Sequence, residues 1–178
     1  MAKNSGKIFE EDFKKSIPDY CLLIRLPDPP QSFTQRSDTR FSKKNPCDFI
    51  MYDSKSRLLF ALELKTTKYK SMSFDDINNS EEQNKMIHRH QIIGLTNYSK
   101  YDGVCAGFIF NFRDEKNNVE RTYFQRIDDF NKMANKIDKK SFNELDLIVD
   151  GNAIKLCGEK KRTHYIWNID EFLKNMNE

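Results

Sequence analysis

Asp48 lies in one short apolar run, NPCDFIMY, and Glu63 and Lys65 lie in the next, RLLFALELK. Ionised side chains are seldom buried unless they are paired or bind a metal. Two carboxylates and a lysine inside core-type sequence therefore need a chemical reason. Strand side chains alternate between faces, so Glu63 and Lys65 share one. A hairpin centred between Lys55 and Ser56 sets Asp48 across from Glu63 on that same face. Neighbouring carboxylates repel unless a proton or a cation neutralises them. Hard oxygen ligands suit Mg²⁺, with Mn²⁺ able to substitute. The lysine adds positive charge where an attacking water loses its proton or a phosphate gains charge. That is the equipment of metal-assisted phosphodiester hydrolysis. A surface hairpin with a Glu63–Lys65 or Asp48–Lys65 ion pair has the same spacing, and spacing alone does not separate the two.

Two further polar residues favour the chemical reading. The segment 80–98, SEEQNKMIHRHQIIGLTNY, has the pattern of a helix, with Ser80 as cap and Glu81 and Glu82 in its first turn. On it Ile87, Gln91, Gly94, Leu95 and Tyr98 form one stripe, which points the Gln91 amide inward. In the N-terminal segment 6–17, Glu10 lies near the face of Gly6, Phe13 and Ile17. His88 and His90 are two apart and so do not share a helix face; they are not expected as a ligand pair, and surface placement is favoured over a phosphate contact.

The elements that must carry these groups alternate between helix and strand. CLLIRL (21–26) reads as a strand ended by Pro27, Pro29 and Pro30. VCAGFIFNF (104–112) reads as a strand covered on both faces. DEKNN is a hairpin turn before VERTYFQ (119–125). A helix at about 127–138, a strand HYIWNI (164–169) and a terminal helix DEFLKNM follow. The expectation is α/β: a central mixed sheet flanked by helices, in one domain over 1–178. Residues 28–45 have no clear period and are too long for an ordinary turn.

The chain has 178 residues, 38% of them hydrophobic and 32% charged, with a net charge of only +3. It is not a polycation, so basic residues count only where they cluster. Arg36, Arg40, Lys43 and Lys44 form one group, Lys65, Lys68 and Lys70 a second, and Lys160, Lys161 and Arg162 a third. Together they point to a polyanionic partner. Cys21, Cys47, Cys105 and Cys157 form no C-x-x-C pair, and three lie in apolar runs. This reads as buried thiols in a reducing compartment rather than disulfides or zinc ligands. With no apolar run long enough to span a membrane and no leader pattern at MAKNSGK, the expectation is a cytoplasmic protein.

The D-x(n)-E-x-K hairpin with a helical glutamine resembles the PD-(D/E)XK nuclease superfamily. The finer pattern resembles the RecU-type Holliday junction resolvases of Gram-positive bacteria and their phages. The matching text is GKIFEEDFKKS, then CDF, ELKTTKYKSMSF, HRHQIIGLTNYSKYDGVCAGFIF and TYFQ, over roughly residues 4–130. The resemblance implies a restriction-endonuclease-like core. It implies Asp48 and Glu63 as Mg²⁺ ligands and Lys65 as the group that orients the attacking water. Gln91 and Glu10 complete the catalytic shell. It further implies a homodimer with no organic cofactor that makes paired nicks in four-way DNA junctions. Residues 28–45 take the place of the projecting stalk, with Arg36, Arg40, Lys43, Lys44, Lys68 and Lys70 binding DNA. A duplex DNA endonuclease of the same superfamily, or a non-catalytic branched-DNA-binding protein, remains an alternative on the same residues.

Overall fold

Asn4 opens the first helix: its side chain accepts the Gly6 N–H at 3.0 Å, while Lys14 and Lys15 lie at the other end, where the helix dipole favours cations. The computed structural model describes residues 4–27, 45–79, 84–117 and 119–176. In order the elements are α1 (Ser5–Lys15), β1 (Cys21–Arg25), β2 (Phe49–Asp53), β3 (Leu58–Thr67) and β4 (Ser71–Ser73). Then come α2 (Arg89–Tyr98), β5 (Val104–Asp114), β6 (Val119–Arg126), α3 (Ile127–Lys136), β7 (Ser141–Asn143) and α4 (Glu144–Val149). The chain finishes with β8 (Ile154–Leu156), β9 (Gly158–Lys160), β10 (Tyr165–Trp167) and α5 (Ile169–Asn175).

Six strands form one mixed sheet in the order β1-β2-β3-β5-β6-β8. The β3–β5 pair is parallel and its other neighbours are antiparallel. Two-stranded pairs β4–β7 and β9–β10 stand beside it. Helices cover both faces. On one, Ile92 and Leu95 of α2 and Phe130 and Met133 of α3 pack on Ala61, Phe108, Phe110 and Phe112. On the other, Phe9 and Phe13 of α1 and Phe172 of α5 pack on Phe49, Leu62, Leu64 and Ile109. The expected α/β architecture, with a mixed sheet between helices, is therefore present. β5 is buried on both faces, as its apolar sequence requires.

The β2–β3 hairpin has the expected centring: Phe49 faces Leu62 and Asp53 faces Leu58. The helix expected over 80–98 is shorter. Residues 80–83 lie outside the described residues, and α2 begins only at Arg89. The preceding Ile87 bridges Phe74 instead, donating its N–H to Ser73 O at 3.0 Å while Asp75 N–H donates back to Ile87 O at 2.9 Å. Strand pairing claims the backbone groups that a longer helix would use. The short elements β4, β7, α4, β8 and β9 were not anticipated, and the final strand is only three residues long. Cys21 and Cys47 are buried, Cys105 is half-buried and Cys157 is exposed, and all four are free thiols. None of the described helices is long and apolar enough to cross a membrane.

Of the expected stalk, 28–45, residues 28–44, with Arg36, Arg40, Lys43 and Lys44, lie outside the described residues. Its flanks meet, because the Asn45 amide donates to the Pro27 carbonyl.

Candidate active site

Glu63 sits in the middle of β3 with only 3% of its surface exposed. Alternation directs it, with Lys65, towards the face that carries α2. Lys65 Nζ lies 3.0 Å from Glu63 Oε1, and the Gln91 side-chain amide donates to the same oxygen. The Gln91 amide is held from its other end, since Oε1 accepts the His88 N–H at 2.9 Å. That bond orients the amide with its NH₂ on the carboxylate. Gln91 is itself buried in the first turn of α2.

Asp48 lies just ahead of β2, where the hairpin register continued by one step sets it across from Glu63. Its main-chain N–H donates to Leu62 O at 3.0 Å, and its Oδ2 accepts the Leu64 N–H at 2.8 Å. The carboxylate is thus clipped to the strand that carries Glu63. One oxygen of each carboxylate, Asp48 Oδ1 and Glu63 Oε2, has no hydrogen-bond partner among the described residues.

Burial pushes the Glu63 carboxyl up to about 8; the neighbouring Asp48 and Glu10 add to the rise, and Lys65 opposes it. Asp48 is also raised, first by burial and then by Glu10, while the Leu64 N–H, Lys65 and Arg25 pull it down. Two adjacent acids that both resist ionisation form a site where a cation would relieve desolvation and mutual repulsion together. Among the described residues no group of three His, Cys, Asp or Glu side chains is gathered for a metal. A pair of carboxylates suits Mg²⁺, which commonly keeps several waters and takes one or two protein carboxylates.

α2 is held in place from two sides. Asp75 Oδ2 accepts the Arg89 N–H at 3.0 Å and lies 3.7 Å from His88 Nδ1. Gly94 packs on Pro46, two residues before Asp48; a Cβ there would come within 2.2 Å of the proline Cβ. His88 and His90 do meet, contrary to the helical reading. His88 is extended as the residue before the helix, and the two rings stack with centroids 5.6 Å apart.

Glu10 arrives from the opposite layer, on α1, whose Phe9 and Phe13 pack against Leu62 and Leu64. Its Oε2 accepts from Arg25 Nε at 2.8 Å. Electrostatically it reaches both Asp48 and Glu63, although α1 itself packs on the opposite face of the sheet. Lys68 and Lys70 are exposed just past the end of β3. In the third basic group, Lys160 lies 3.6 Å from Glu120, and Lys161 pairs with Glu159. Sequence reasoning missed Arg25 and Asp75. Each makes its contact with residues distant in the chain, and no local signal announced them.

No family model matches the chain. Over 130 residues, 72% of this chain, it is 35% identical to the SPbeta prophage-derived uncharacterized protein YotM of Bacillus subtilis (strain 168). The match spans 59% of that protein, so the chain corresponds to rather more than half of its length.

Proposed function

We propose that the chain is a divalent-metal-dependent endodeoxyribonuclease with a restriction-endonuclease-like core, acting as a homodimer that places paired nicks in four-way DNA junctions. The observation that carries the reading is the buried Glu63 carboxylate held by Lys65 and Gln91 beside Asp48. A surface hairpin has no use for a core glutamine aimed at a buried acid.

Asp48 and Glu63 would hold Mg²⁺ or Mn²⁺, which when bound acidifies a water and draws charge from the scissile phosphate. The chain's own groups do the rest. Gln91 fixes the rotamer of Glu63 and leaves Oε2 available. Lys65, anchored by Glu63 Oε1, stabilises the negative charge that builds on the phosphate and orients the attacking water. Glu10, paired with Arg25, adds from α1 to the rise of both acids. The similarity to a prophage-derived protein accords with a resolvase family found in Gram-positive bacteria and their phages.

The test is a cleavage panel of four-way junction, fork and linear duplex, with Mg²⁺ and with EDTA. Symmetric nicks confined to the junction and abolished by EDTA are the expected result. Equal cutting of linear duplex would move the reading to a general duplex endonuclease. Junction binding with no nicks in Mg²⁺ would leave a non-catalytic branched-DNA-binding protein.

A further inference from the structure

A groove of about 730 Å³ opens where β3 ends. One wall is Lys68, Tyr69 and Lys70; the other is the β5–β6 hairpin with Arg113 and Lys116. Phe112 also lines it, and Phe112 pairs with Thr67 two positions beyond the Lys65–Phe110 pair. The groove therefore follows the Glu63 centre along the same strands. At the rise of a strand, Lys68 lies about 10 Å beyond Lys65.

The charges in this groove are unequal. Arg121 is held bidentate by Glu144 at 2.7 and 2.8 Å, and Arg113 lies 3.3 Å from Glu115, so these four groups cancel. Asp114 is tied into the hairpin turn by the N–H and side-chain amide of Asn117, at 3.2 and 2.7 Å. Lys68, Lys70 and Lys116 make no ion pair among the described residues. Between the first two stands Tyr69, 69% exposed, with the Lys68 ammonium 5.9 Å from its ring centre. An exposed aromatic ring between unpaired lysines matches a strand whose bases are uncovered: lysines follow phosphates and the ring stacks on a base. A duplex offers the phosphates but hides the base faces.

We propose that this groove is a track for an unpaired DNA strand running from the Glu63 centre, with Tyr69 as its stacking platform and Lys68, Lys70 and Lys116 on its phosphates. The direction from the Glu63 centre rests on the nuclease reading; the binding itself does not.

The experiment measures anisotropy of labelled oligo(dT) and of a length-matched duplex in EDTA, where no metal-dependent cleavage intervenes. Oligo(dT) is expected to bind more tightly than duplex. Tyr69→Ala should weaken it about tenfold and Tyr69→Phe should retain it. A 2-aminopurine base in the oligonucleotide should be quenched by the wild type and by Tyr69→Phe, but not by Tyr69→Ala. Lys116→Ala should lower the salt slope by about one. Oligo(dT) bound no more tightly than duplex, or binding indifferent to both Tyr69→Ala and Lys116→Ala, would overturn the track. A protein that cuts no DNA in Mg²⁺ yet shows the Tyr69 dependence keeps the track and loses the nuclease reading. One that cuts junctions but ignores Tyr69 does the reverse.

Discussion

Two polar clusters interrupt the apolar sheet at adjacent positions, one on each face. On the α2 face are Asp48, Glu63, Lys65 and Gln91. On the other, Thr66 donates to Asn111 Oδ1 at 2.7 Å, and Asn111 Nδ2 donates to Thr122 at 2.9 Å and to Glu120 at 3.1 Å. Trp167 Nε1 closes that network on Thr122 at 2.9 Å. Asn111 is fully buried, and both ends of its amide are satisfied. Its buried members are neutral, with charge only at the ends, where Arg113 Nε donates to Thr66 at 3.0 Å and Glu120 accepts from Asn111, and it ties β3, β5, β6 and β10 together. The Glu63 cluster sets two acids side by side, one buried and one half-buried, with Lys65 paired to Glu63, and leaves an oxygen open on each acid. Satisfied burial of neutral groups reads as architecture; paired acids that one lysine only partly compensates read as a site built for an outside partner.

The strongest way to break this contrast is Glu63→Gln. The swap is nearly isosteric and removes a ligand charge. Cleavage should fall about a thousandfold or more while the fold and much of the DNA binding persist. Single-turnover kinetics on a junction substrate read it, and near-normal rates would remove the centre from this place. The matching change on the opposite face is Asn111→Leu. It takes the acceptor from the Thr66 O–H and removes the donor to Thr122, so about 2–3 kcal/mol of stability should be lost. Urea unfolding measures the loss, and cleavage per folded molecule should stay near wild type.

Titration sharpens the contrast further. In the metal-free protein the folded Glu63 carboxyl holds its proton up to about 8, against an ordinary value of 4.5. Above 4.5 the unfolded chain has released that proton and the native state has not. Stability should therefore fall as pH rises from 4.5 to 8 and level off above. Asp48 shifts in the same direction and adds to the slope. Melting curves between about pH 5 and 9 should show the decline in EDTA. Mg²⁺ should reverse it at the alkaline end, and Glu63→Gln should flatten it. The smallest effect belongs to the exposed lysines: Lys68→Ala with Lys70→Ala should reduce the salt slope of DNA binding by about two. An unchanged slope would leave both in solvent.

The hairpin, its register and the inward Gln91 were legible because each follows from a period: two in the strands, 3.6 in the helix. The extent of α2 was not, because its start depends on Phe74 and Asp75, more than a dozen residues upstream. The same contact unwinds the turn at His88 and lets its ring reach His90. Glu10 was legible as a helix-face residue near the site, yet no local pattern could tell which layer α1 joins or that Arg25 would claim it. Strands of three residues, such as Ser71–Ser73 and Ser141–Asn143, exist because they pair with each other, and neither carries a period of its own.

Gly94 has a consequence for inheritance as well as for geometry. It bears no functional group, yet its bare Cα lets α2 lie against Pro46 and so sets how deeply Gln91 reaches towards Glu63. Any side chain there forces the helix away from the loop that leads into β2. A screen scoring mutants by activity would rank this glycine with the acids. Second-site revertants would then be sought at Pro46, where a smaller residue gives back the missing space.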